Sequence, residues 1–193
     1  MRRSAEDAAR TRLALLEAAL MAFEEKGWRG ATFEHVAERA GLTRGALHHH
    51  FRSKTTLLAE ALEWGWGEYE TRLFDRQDAP TAPHEWLAGV LSEFVRLLRR
   101  DELFRALAST TVVVAPQAFG DKKSKHDALD AWRARIADAL VGTGRQLAPI
   151  TVAGLVLVLL QGFTVTAVTR PDDLPQPREL DAAIAATVRG LLS

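Results

Sequence analysis

The chain of 193 residues contains no cysteine, which excludes disulfides, thiol nucleophiles and cysteine-ligated zinc. Proline is scarce: there are seven, and most of them fall in "DAPTAP" (78–83) and "RPDDLPQP" (170–177). Little else interrupts helix formation, and the Ala- and Leu-rich composition predicts an all-α fold. The opening residues "MRRSAEDAARTR" lack the apolar run of a secretory leader, so the expected location is cytoplasmic. Net charge is absent too, with 25 basic residues against 25 acidic ones. That zero conceals an asymmetry, because residues 1–56 carry ten Lys/Arg, seven Asp/Glu and four of the six histidines. A basic N-terminal piece on an acidic remainder suggests that only the first meets a polyanion.

A catalytic constellation is also missing. No Ser-His-carboxylate grouping has a local signature, and no metal-ligand spacing or phosphate-binding glycine loop is visible. The expectation is a non-enzyme without cofactor or metal.

What is present begins with helical periodicity. Leu13, Leu16, Leu20 and Phe23 recur at steps of three and four, predicting a helix over about 8–26 that Lys26-Gly27 closes. Thr32 can cap a short helix through Val36, Ala37 and Ala40; Gly41 stops it, and Thr43 can cap another two residues later. Two short helices joined at Gly41-Leu42 and braced by the first make a helix-turn-helix. In that arrangement the second helix enters the DNA major groove with its N-terminus leading. Thr43 and Arg44 then reach base edges, Arg44 gripping guanine. Small Gly45 and Ala46 let the backbone come close, while His48, His49 and His50 meet phosphates or sugars. Lys54 and the amides opening the next helix can hold phosphate as well. Three successive histidines point 100° apart on a helix, so one metal ion cannot collect them.

The stretch "ATFEHVAERAGLTRGALHHHFRSKTTLLAEAL", residues 31–62, resembles the DNA-binding signature of TetR-type transcriptional regulators. That pattern runs roughly T-x-x-x-[IV]-A-x-x-A-G-[VL]-[ST]-x-G-x-[LI]-Y-x-[HY]-F-x-x-K-x-x-L. Thr32, Val36, Ala37, Ala40, Gly41, Leu42, Thr43, Gly45, Leu47, His50, Phe51, Lys54 and Leu57 or Leu58 fit it. His48 departs from it, standing where the family usually has a tyrosine whose hydroxyl contacts a phosphate. The resemblance implies a DNA-binding domain over 9–69, with Thr32 among its DNA-facing residues. A helical ligand-binding and dimerisation domain would follow over 70–193, making about nine helices in all.

One helix-turn-helix reads too few base pairs to be specific, so a homodimer on a pseudo-palindromic operator is expected. The apolar run "ITVAGLVLVLLQGFTVTAVT" (150–169) is long enough to cross a bilayer. Gln161, its glycines and its four threonines favour instead a helix between the core and a partner subunit. With the last amphipathic segment, 178–192, it is the expected dimer interface. The resemblance further implies a repressor released by a small effector, expected to be apolar. Its candidate lining is Trp64, Trp66, Trp86, Phe94, Phe104, Trp132, Gln161 and Phe163. Gly65 and Gly67 are expected to soften a hinge beside it. The alternative is a helical ligand-binding or assembly module that never uses its helix-turn-helix on DNA.

Overall fold

The computed structural model describes residues 2–74, 82–120, 127–141 and 147–193. Part of the proline-bearing stretch at 78–83 lies outside the described residues. Every regular element among the described residues is helical. In chain order these are α1 (Arg2–Gly30), α2 (Phe33–Arg39), α3 (Arg44–His50), α4 (Lys54–Phe74), α5 (Pro83–Arg100) and α6 (Glu102–Ser109). A π-helical turn (Thr110–Val114) leads into α7 (Ala115–Phe119), followed by α8 (Asp127–Ala139), α9 (Pro149–Thr169), a 3-10 turn (Pro171–Asp173) and α10 (Leu180–Leu192). Contacts divide the chain into two compact units: Met1–Glu68 with Ala106–Ser124, and Tyr69–Arg105 with Lys125–Ser193.

In the first unit, α1 kinks at Gly27, whose φ of 66° and ψ of −177° lie outside helical space. Its buried face is Leu15, Leu16, Ala19, Leu20 and Phe23, whereas Leu13 is 40% exposed. The sequence stripe was therefore displaced at its start, because Leu15 continues the same three- and four-residue spacing as well as Leu13 does. Thr32 caps α2 by accepting from His35 N, and Thr43 caps α3 by accepting from Ala46 N. Between them, Gly41 N donates to Glu38 O (3.0 Å) and Leu42 N to Ala37 O (2.8 Å). With Gly41 at φ 67° this is a Schellman closure, which fixes the angle between the two helices. Val36, Ala37, Leu47, Phe51, Leu57, Leu58 and Ala61 complete this core.

The segment 106–124 joins this unit through particular contacts. Thr110 Oγ1 donates to Leu20 O (3.4 Å), Trp66 Nε1 donates to Thr111 Oγ1 (3.0 Å), and Leu107 packs on Gly65. The β-branched "TTVVV" run forms the π turn, with Ala115 N donating to Thr110 O, five residues back. Pro116 follows, lacking an N–H and crowding the preceding turn; widening that turn by one residue accommodates it.

In the second unit, α5 packs against both α9 and α10, and α8 packs against α9. The core combines Leu87, Leu91, Phe94 and Leu98 with Trp132, Ile136, Val152, Val156, Leu160, Ile184 and Val188. Asp101 ends α5 and caps α6 by accepting from Phe104 N at 3.0 Å. Arg96 donates to both carboxylate oxygens of Asp181 (2.5 and 2.7 Å), tying α5 to α10.

Helix α9 is long and apolar enough to cross a membrane, by length and composition. It is nevertheless part of this unit's core on one side. Its buried Thr164 turns its hydroxyl to Leu160 O (2.8 Å), so no polar group is stranded there. The opposite side exposes Thr151, Leu155, Val158, Gly162, Val165 and Thr169, at alternating steps of four and three.

Candidate nucleic-acid interface

Helix α3 is short, and two of its side chains decide how it sits. Leu47 is fully buried and Phe51, just past its end, is fully buried as well. Their burial turns the opposite side outward. Thr43, Arg44, Gly45, His48 and His49 are exposed, and His50 is half-buried. A Cβ on Gly45 would meet only Thr43 Oγ1, at 3.8 Å, so the leading turn is sterically open. Thr32 is exposed at the start of α2, its oxygen engaged as that helix's cap.

Arg44 does not extend freely into solvent. Its Nη1 lies 2.6 Å from Glu34 Oε1, and its Nε donates to His48 Nε2 at 3.2 Å. The His48 ring rests on Phe33, with centroids 4.8 Å apart and planes tilted by 56°. So the imidazole that replaces the usual tyrosine is engaged by Arg44 and by an α2 side chain. The Glu34 carboxyl is held below its ordinary value by its own backbone amide first, then by Arg44, Thr32 and His48. His49 and His50 meet edge to face at 5.5 Å. Burial first, then the charges of His49 and Arg12, depress the His50 imidazole below its ordinary value.

Lys54 turns inward. Its Nζ donates to Trp28 O and sits 4.4 Å from the centre of the Trp28 ring. Burial lowers its ammonium below the usual range. The cation therefore closes the end of α1 beyond the Gly27 kink, where unsatisfied carbonyls attract positive charge. At the start of α4, Ser53 Oγ accepts from Thr56 N (3.0 Å). Phe33, Glu34 and Ser53 escaped the sequence reading. Ser53 carried a local signal, a hydroxyl three residues before Thr56; the other two show their role only once α2 and α3 are folded together.

The effector-lining candidates separate. Trp64 and Trp66 belong to the first unit, with Trp64 half-buried and Trp66 buried. In the second unit, Phe94 packs edge to face on Phe104 (5.1 Å) and on Trp132 (6.3 Å). All three are buried. Gln161 and Phe163 are half-buried on α9. Trp86 stacks on Phe74 (6.2 Å) and lines a cleft of about 520 Å³ with Arg72, Phe74, Glu93, Arg96 and Arg100. That wall is more cationic than a purely apolar ligand needs. No group of three or more His, Asp or Glu side chains suited to a metal ion occurs among the described residues.

Comparison with known proteins agrees with this geometry. Residues 15–61 match the sequence profile of the bacterial regulatory proteins of the tetR family. A KstR2 transcriptional repressor from Mycolicibacterium smegmatis is 35% identical over 80 residues, which is 39% of this chain and 37% of that repressor. The regulator TtgR of Pseudomonas putida is 41% identical over 63 residues, 33% of this chain and 30% of that protein. The chain thus spans about a third of the length of the curated relatives it matches. A transcriptional regulator of known structure from Rhodococcus sp. Rha1 shares the fold over 93% of this chain and 95% of its own, at 25% identity and a TM-score of 0.74. The capped helix-turn-helix lies within residues 15–61, the part of the chain that is similar to the TetR family of bacterial regulatory proteins.

Proposed function

We propose that the protein is a ligand-responsive transcriptional regulator, a repressor, that binds a pseudo-palindromic operator as a homodimer in the cytoplasm. The observation that carries this reading is the exposed edge of α3. Thr43, Arg44, Gly45, His48 and His49 face outward while Leu47 and Phe51 fix the helix to its own core. That combination is what groove reading requires, since base contacts need outward-facing side chains on a rigid support.

Dimerisation follows from the size of the site one helix can read, with half-sites about 34–36 Å apart. The outer face of α9 supports it, as does α10, which exposes Ala182, Ala183, Ala186 and Gly190. Small side chains let partner helices approach closely, and the α9 stripe has the heptad-like spacing of a bundle seam. The effector is a small molecule with an apolar body, seated among the aromatic residues of the second unit. Its binding favours a dimer whose two α3 helices no longer match successive grooves, and linkage then requires DNA to weaken ligand binding equally.

Selecting fragments bound by the full chain from its own genome, then measuring their affinity against salt, tests this. The expected result is a selected inverted repeat whose log K falls by about 0.9 per phosphate contact for each unit of log salt. Failure to select any sequence, with no salt dependence, would instead leave a helical ligand-binding or assembly module.

A further inference from the structure

Arg44 is the only arginine on α3, and both of its contacts come from side chains the family pattern does not specify as readers. Glu34, in the first turn of α2, takes Nη1 at 2.6 Å; His48, one turn further along α3, takes Nε at 3.2 Å. His48 in turn rests against Phe33. A guanidinium has five N–H donors in a rigid fork. Nε is engaged by His48 and Nη1 is ion-paired with Glu34, so the end-on edge keeps Nη2 with no side-chain partner among the described residues. That edge is the one that can span guanine O6 and N7.

A carboxylate beside the leading turn of a groove-reading helix has an electrostatic cost, because it repels phosphates. Glu34 is nonetheless kept ionised by its own backbone amide, by Arg44 and by Thr32. The ordering of Arg44 offsets that cost: a long side chain held in its reading geometry loses less freedom on binding. Resting on the reading of α3 as the DNA-contacting helix, we propose that Glu34 and His48 are positioning residues that preset Arg44 to read one guanine in each half-site. Neither needs to touch a base itself.

The test uses the full-length chain and a duplex library randomised across both half-sites. Arg44→Ala first identifies the base pair where guanine preference collapses. Glu34→Gln keeps the size of the side chain and removes its charge. It is expected to reduce guanine discrimination at that same base pair at least about threefold, with little change in melting temperature. The double variant should discriminate no less than Arg44→Ala alone. His48→Gln, which retains an acceptor, should preserve more discrimination than His48→Ala.

Two results would overturn the proposal. Glu34→Gln could strengthen binding to all sequences equally with the base preference intact, making Glu34 a bystander that merely repels phosphate. Or Glu34→Gln could lose a cytosine preference elsewhere, unaffected by Arg44→Ala, making Glu34 a reader in its own right. Wild-type chain that selects no sequence would overturn the DNA-binding reading, and the positioning role with it.

Discussion

A Cβ placed on Gly65 would lie 2.7 Å from Leu107 Cδ1 and 3.3 Å from Leu20 Cδ1. Both leucines are fully buried, so neither can swing away without disturbing the first unit's core. Gly67, two residues on, has nothing within 4 Å of its virtual Cβ. Both lie inside the unbroken helix α4, Lys54–Phe74. The pair therefore divides, one glycine required by close packing and the other exposed. Gly67→Ala should stabilise the fold by up to about 1 kcal/mol through helix propensity. Gly65→Ala gains the same propensity but overpacks the core, which typically costs about 1–3 kcal/mol. Urea unfolding of the two single variants should give opposite signs; equal stabilisation would show that Leu107 yields freely.

How much of this was legible beforehand depends on the range of the interaction. The caps at Thr32 and Thr43 and the Gly41 stop are set by bonds spanning three to five residues, so their residue types announced them. The apolar stripe of α5, Leu87, Leu91, Phe94 and Leu98, recurs at steps of three and four, a pattern of the same short range. Leu13 misled because a long helix offers more than one stripe of similar spacing, and only packing selects between them. The return of 106–124 to the first unit rests on bonds such as Thr110 to Leu20, 90 residues apart, which no local pattern encodes. At the site, the exposed face of α3 was legible and the Glu34 to Arg44 contact was not. Lys54 was expected at a phosphate because its place in the motif says nothing about Trp28, 26 residues earlier.

Lys54 supplies the next prediction. Its contacts with the Trp28 carbonyl and ring make it a structural cation, so Lys54→Met should lower stability by about 1 kcal/mol, a figure reduced for its partial exposure. The melting temperature should fall, and the salt slope of DNA binding should hold. An unchanged melting temperature with a slope smaller by about 0.9 would return Lys54 to the phosphate backbone.

The two glycines with positive φ flanking α2 differ in what can replace them. Gly41 closes a Schellman motif, a left-handed helical position that asparagine tolerates. Gly27, at ψ −177°, occupies a region that is essentially glycine's alone. Gly41→Asn should therefore be markedly milder than Gly41→Ala, which costs roughly 1–2 kcal/mol. At position 27 the two replacements should be similarly harmful, on the order of 1–3 kcal/mol. Thermal melts of the four variants decide it, and a rescue by asparagine at position 27 would contradict the assignment.

His50 gives a pH dependence with a definite sign. Its imidazole is depressed below the ordinary 6.5 by burial, then by His49 and Arg12. Between 6.5 and the lower folded value, the unfolded chain binds more protons at this position than the folded one does. Stability is therefore lost as pH falls through that window, and the contribution is absent at pH 7.5. His50→Gln should shrink the drop in melting temperature between pH 7.5 and 5.5. Identical drops in variant and wild type would remove His50 from the account, since every other titrating group is common to both.

The outer face of α9 provides the strongest separation between folding and assembly. Val158 is 64% exposed and Leu155 41% exposed within one chain, in a helix whose inner face is already packed on α5 and α8. A charge placed there should leave the isolated chain's fold almost untouched, within about 0.5 kcal/mol, because surface substitutions seldom matter more. Across a two-fold axis the same side chain would meet its own copy, bringing like charges together in an apolar seam. Val158→Arg should thus sediment as a folded monomer with wild-type helical content. On the proposed two-half-site binding, operator affinity should collapse although α3 is unaltered. A Val158→Arg protein that stays dimeric and binds the operator normally would place the interface elsewhere on the chain.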